Sequence, residues 1–201
     1  MVKLFVEGGG DHNPSLAADL RKGFSLFLSK AGFAGFMPRI IACGGRATAF
    51  HDFTVAVENG EDAMLLVDSE DLVSDGICPR TFLTNRDACL FPKDSNDNQY
   101  GLMVTCMESW FLADVESVET YYGKGFHAKE LHTLEAKPEQ VDRKKVYAAL
   151  QKVAGTTKKG NYDKGRDSFK ILATLDPKKV IAKSPWAKEF LNNLRVAVGQ
   201  V

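Results

Sequence analysis

Short apolar runs that end in glycines or carboxylates alternate with longer stretches whose apolar residues recur at helical spacing. The run KLFVEGG predicts a first strand, apolar enough to be buried on both faces as in a parallel sheet. Leu16, Leu20, Phe24, Phe27 and Leu28 then recur every three or four positions, which predicts a helix. Asn13 can cap that helix, Pro14 suits its first position, and AGFAG ends it. PRIIACGG predicts a second strand, RATAFHDFTVAVENG a second helix ending at Asn59-Gly60, and AMLLVDSED a third strand. QYGLMVTCMESWFLADVESVETYYG predicts a fourth strand passing into a helix. The resulting order predicts an α/β fold: an open, mainly parallel sheet of about four strands with helices on both faces.

Two regions break the rhythm. Residues 71–98 show no clear period and many turn residues, and are expected to form a long surface excursion. After about Gly125 the chain turns helical and basic, giving an expected division into a core over 1–125 and a helical extension over 126–201 packed on it. There PEQVDRKKVYAALQKVAG predicts an amphipathic helix stopped by Gly155, and TTKKGNYDKGRDS a basic, glycine-containing loop. SFKILATL and SPWAKEFLNNL predict two short helices.

With 44% hydrophobic and 26% charged residues, the chain can bury a real core, and no apolar run reaches the ~20 residues a membrane helix needs. Glu7 and Asp11 interrupt any signal-peptide pattern, and four scattered cysteines without a CxxC pair suggest reduced thiols. A cytoplasmic protein is expected. Net charge is zero, but its distribution is uneven. From Ala47 to Pro79 there are eight acids and no Lys or Arg, whereas from Arg143 to Lys183 twelve basic residues face three acids. Two solvated faces of opposite sign would explain this, and so would an acidic metal pocket beside a phosphate-attracting surface.

In an open parallel sheet, ligands bind beyond the carboxyl ends of the strands. Glu7 ends the first strand, and Asp68 and Glu70 end the third, so both acidic clusters should meet on one rim. Clustered carboxylates raise one another's pKa, and a hard divalent cation relieves that repulsion. The candidate metal ligands are Glu7, Asp11, Asp68, Glu70 and Glu108, with Mg²⁺ or Mn²⁺ as the ion. Gly8 and Gly9 would let backbone or phosphate come close to Glu7, or would simply make a tight turn. GGGDHN has neither GxGxxG spacing nor a following Gly-Lys-Ser/Thr.

The pair VEGGGD and LLVDSED, separated by one βα unit and a strand, resembles the Toprim domain of topoisomerases, primases and overcoming-lysogenization-defect nucleases. That resemblance implies a Glu after the first strand and an Asp-x-Asp after the third, binding Mg²⁺ for phosphoryl transfer on nucleic acid. Carried over, these positions are Glu7, Asp68 and Glu70, the last a Glu where the family has Asp. The resemblance also implies Glu7 as a general base. Across VEGGGD, ACGGR, LLVDSED, GLMVTCMESWFLAD, KKGNYDKGRDSF and LDPKKV, the chain is similar to an uncharacterised bacterial family of small Toprim-like proteins. Relatives of that kind lie beside ATPases in apparent phage-defence loci, which implies a partner ATPase.

Other residues refine the picture. Glu108, set among Met107, Trp110 and Phe111, would be costly to bury unpaired, so it either meets an Arg such as Arg46 or joins the metal rim. Trp110 and Phe111 are expected in the core. Arg46 could clamp a phosphate or neutralise the acidic rim. Lys158, Lys159, Lys164 and Arg166 suit backbone phosphate contact on DNA or RNA, or else a solvated loop. His12 alone among the four histidines lies near the expected site. The leading expectation is a metal-dependent nuclease, with catalytic Glu7, Asp68 and Glu70. The rival is a non-catalytic Toprim-like module that binds a partner protein or a nucleotide.

Overall fold

A computed structural model describes residues 1–10, 13–74 and 76–200. Four strands, β1 (Lys3–Val6), β2 (Arg39–Ala42), β3 (Ala63–Asp68) and β4 (Tyr100–Met103), form one all-parallel sheet in the order β2-β1-β3-β4. The expected α/β architecture is therefore observed, with the helical C-terminal part present. The chain leaves β1 for one neighbour and later returns to the other, so the connections diverge between the carboxyl ends of β1 and β3. This is where open α/β sheets bind ligands.

Alternation along the strands sends side chains to two cores. Leu4, Val6, Met64, Leu66 and Met103 join one cluster, while Phe5, Leu65, Val67 and Leu102 join the other. The second cluster is closed by α2 (Arg46–Glu58) and α3 (Pro79–Asp87), the first by α1 (Pro14–Leu28) and later helices. Asn13 caps α1 by accepting from the Leu16 amide at 3.1 Å, with Pro14 in its first turn. Trp110 is buried between Phe24 (edge-on, 6.4 Å) and Phe27 (stacked, 5.3 Å), as its apolar surroundings implied.

Two readings need correction. Residues 71–98 are not one irregular excursion, because α3 forms inside them. Cys78 and Pro79 begin that helix, yet only Pro79 and Leu83 are buried along it, so it left no apolar period to detect. The single helix expected after β4 is two, α4 (Ser109–Ala113) and α5 (Val115–Tyr122), interrupted at Asp114.

The C-terminal helices are α6 (Lys129–His132), α7 (Arg143–Ala154), α8 (Lys164–Leu172), α9 (Pro177–Lys183) and α10 (Pro185–Ala197). Their buried residues, from Val146 to Leu194, belong to the same cluster as Val2 and Leu4. α8 lies close on α1: a Cβ at Gly23 would stand 2.6 Å from the Phe169 carbonyl oxygen. Gly23→Ala is accordingly expected to destabilise the protein by about 1–2 kcal/mol, overpacking outweighing the helix-propensity gain. Urea denaturation checks this, and an unchanged midpoint would contradict the close approach. Among the described residues, no helix is long and apolar enough to cross a membrane.

Candidate active site

Glu7 follows β1 directly. Its Oε2 accepts from the Asp68 amide (3.1 Å) and from Arg46 Nε (3.3 Å), which ties the ends of β1, β3 and α2 together. The glycines after it make the turn. Gly9 has φ of 87°, and a Cβ there would press on Ala42 Cβ at 3.0 Å and Ala17 Cα at 3.1 Å. Gly8 exchanges two 2.7 Å backbone hydrogen bonds with Gly44, so its N–H already has a protein partner. Asp11 and His12 lie outside the described residues.

Asp68, the last residue of β3, is 6% exposed. Its Oδ1 accepts from the Met107 amide at 2.8 Å, and Lys164 Nζ stands 3.6 Å from Oδ2. Burial pushes its pKa up to about 7; Lys164 opposes the shift, while the carboxylates of Glu108 and Glu7 add to it. Burial also works against the Lys164 charge, but Glu108 and Asp68 outweigh it and raise the lysine pKa.

Glu108 does not meet Arg46. It is fully buried; its Oε1 accepts from the Tyr162 hydroxyl (2.6 Å) and its Oε2 from the Tyr147 hydroxyl (3.2 Å). Lys164 donates in turn to the Tyr147 oxygen at 3.2 Å. Asp68, Lys164, Tyr147, Glu108 and Tyr162 thus form one polar network under the rim. Burial first, then Glu108, hold both tyrosines in the neutral phenol form. Tyr147 and Tyr162 were not expected from sequence.

Glu70 sits among arginines. Its φ of 62° breaks the extended path of β3. The side chain pairs with Arg86 (2.5 Å), Arg143 (2.9 Å) and Arg46 (3.8 Å). Partial burial would raise its pKa, but these arginines prevail and hold it below the usual glutamate range. Arg46 also donates to the Asp68 carbonyl and pairs with Asp87 at 3.0 Å.

The basic loop is shorter than expected, because Asp163 caps α8 by accepting from the Arg166 amide at 2.7 Å. Lys164 and Arg166 therefore stand on the first turn of a helix. Lys164 points into the site; Arg166 is clamped on Asp167 by two 2.8 Å contacts and donates to the Asn161 carbonyl. Lys159 lies over the Tyr121 ring at 4.6 Å, away from these carboxylates. The structure gathers Glu7, Arg46, Asp68, Glu108 and Lys164, and it separates Lys159 and Arg166 from them.

Fold and rim together define a parallel α/β protein with a buried, mixed-charge site at the strand switch point. The family described as "Domain of unknown function (DUF4276)" matches residues 19–195, and the chain belongs to that family. The matched span holds Arg46, Asp68, Glu70, Glu108 and Lys164, whereas Glu7 precedes it. No curated protein and no solved structure matches the chain.

Proposed function

We propose that this protein is a metal-dependent phosphoryl-transfer enzyme, a Toprim-type nuclease acting on nucleic acid. The observation that carries the reading is Asp68, a carboxyl buried at the sheet's switch point beside Glu7, with its pKa pushed up by burial first and by the Glu108 and Glu7 charges after it. Among the described residues, no three His, Cys, Asp or Glu side chains already form a metal cluster. Mg²⁺, however, needs only one or two carboxylates beside water and phosphate oxygens. The donors here are hard carboxylate oxygens, the type these ions prefer, so Glu7 and Asp68 fit Mg²⁺ or Mn²⁺. The chemistry such an ion supplies is neutralisation of charge developing on a phosphoryl oxygen.

The protein's own groups cover the remaining needs. Arg46 places a guanidinium between the two carboxylate strands, where it can orient a phosphate. Glu7, fixed through one oxygen, either ligates the ion or serves instead as the general base, the role the Toprim resemblance implies. Lys164 favours the charged form of Asp68 against burial and supplies a second cation at the rim. The partner ATPase and a role in phage defence belong to this reading as well.

The test is cleavage of single- and double-stranded DNA and RNA with Mg²⁺ or Mn²⁺, alone and with a candidate ATPase. Wild type should cleave only with metal, and Glu7→Gln should lose about 10²–10⁴-fold in rate, as for loss of a general base. Absence of turnover in every arm supports a second reading, a non-catalytic module that binds a partner protein or nucleotide. One observation favours that alternative: Glu70, at the second carboxylate position, is bound by three arginines.

A further inference from the structure

The loop after β3 carries a device that shares Arg46 with the catalytic reading but centres on Glu70, to which the catalytic steps proposed for Glu7 and Asp68 give no part. Three guanidinium groups from distant parts of the chain converge on the single carboxylate of Glu70: Arg46 from the start of α2, Arg86 from α3 and Arg143 from the start of α7. Arg143 forms no other ion pair among the described residues, while Arg46 and Arg86 each keep Asp87 when Glu70 is discounted. Guanidinium forks match phosphate as well as carboxylate, and a phosphate offers three oxygens where Glu70 offers two. The residue that fills the centre of this triad does so from a left-handed backbone position, at φ of 62°, which non-glycine residues seldom occupy.

Beside the triad opens a cleft of about 740 Å³ lined by Arg46, Phe50, Glu70, Arg86 and Leu90, among others. Its lining combines Arg46 and Arg86, with the carboxylates of Glu70 and Asp87 that pair with them, and the apolar Phe50 and Leu90. Leu90 is 87% exposed, and the Phe50 ring is fixed edge-on against Phe91 at 5.2 Å. A fixed ring and an uncovered leucine beside arginines suit a ligand with an anionic head and a flat, apolar body.

We propose that Arg46, Arg86 and Arg143 dock a nucleotide phosphate whose base lies along Phe50 and Leu90, and that Glu70 is an internal plug displaced on binding. The inference deepens the phosphoryl-transfer reading, on which it rests for the class of substrate. A ligand must displace the plug, so apparent affinity is reduced by the fraction of molecules in which the triad is filled.

The experiment measures binding of ribose-labelled adenosine monophosphate by fluorescence anisotropy in EDTA, for wild type, Glu70→Gly and Glu70→Gln. Glycine suits the left-handed backbone and glutamine keeps the side-chain shape, so one variant covers a folding failure of the other; melting curves confirm the fold. Both should bind at least tenfold tighter than wild type, and adding Arg143→Ala to either should abolish the gain. Phe50→Ala should weaken the nucleotide but leave competition by inorganic phosphate unchanged. An unlabelled oligonucleotide that competes better than the mononucleotide identifies a strand as the source, and the reverse identifies a free nucleotide. Folded Glu70 variants that bind no tighter than wild type overturn the proposal. Inorganic phosphate competing as well as the nucleotide overturns the nucleotide assignment. Turnover is not read here, so an inactive wild type would sink the catalytic reading while leaving this result to stand or fall separately.

Discussion

Glu108→Ala is expected to lower the free energy of unfolding by about 3–5 kcal/mol, the range for breaking a buried charged network by removing one partner. The side chain is fully buried and accepts from two phenols. Hydrogen bonds to a charged acceptor contribute about 1.5–3 kcal/mol each. Truncation leaves the Tyr162 hydroxyl, on a residue only 3% exposed, without its acceptor, and it opens a void. Relief of repulsion toward Asp68 offsets part of the loss. Glu108→Gln should cost less, about 1–3 kcal/mol, because an amide oxygen still accepts one phenol. The glutamine variant should also lower the Asp68 pKa, since one of the charges that raises it is gone. Urea titrations of the three proteins read the first effect. A Glu108→Ala midpoint equal to wild type would mean the network contributes nothing to stability.

How much of this could be read from the sequence depended on whether a position was governed by period or by direction. β1 and β3 are almost wholly apolar and end in carboxylates, so their placement and the shared rim were legible. What a local pattern does not encode is where a side chain turns once the strand ends. Asp68 and Glu70 would face the same side of an extended chain, but the left-handed turn at Glu70 sends its carboxylate to the arginines instead. Glu108 read as a partner for an Arg such as Arg46 or as a member of the metal rim; its hydrogen-bond partners come from α7 and from the segment before α8, a pairing that only tertiary packing creates.

Arg143 and Tyr147 had a usable signal. They are four apart on a predicted amphipathic helix and so share one face, and both do reach the site. Lys164 and Arg166 were grouped as loop residues because Gly160 and Gly165 suggested one. Asp163, three residues before Arg166, is a capping position that marks a helix start. The cap then divides the basic run: Lys164 joins the site, while Arg166 is committed to the buried Asp167.

Asp68→Asn should be more stable than wild type at pH 8, by up to ~4 kcal/mol, with the difference vanishing near pH 4. The unfolded aspartate titrates near 3.9, while burial and the Glu108 and Glu7 charges, opposed by Lys164, push the folded carboxyl up to about 7. Between these values the folded protein keeps a proton that the unfolded chain has released. Stability from this group is therefore fully present below about pH 4 and falls as pH rises through 7. Three pKa units at 1.36 kcal/mol each give the ~4 kcal/mol ceiling. Asparagine does not titrate, and its oxygen can still accept from the Met107 amide, so the variant should show a flatter profile. Saturating Mn²⁺ should reverse the order at pH 8. Wild type gains stability by mass action, the variant gains little, and the wild-type gain fades below pH 7 as protons compete for the ligand. Melting curves at pH 5 and pH 8, with and without Mn²⁺, separate the possibilities. A variant destabilised equally at both pH values would make Asp68 a structural residue. A metal that shifts neither protein would remove the metal-dependent enzyme and leave the binding module.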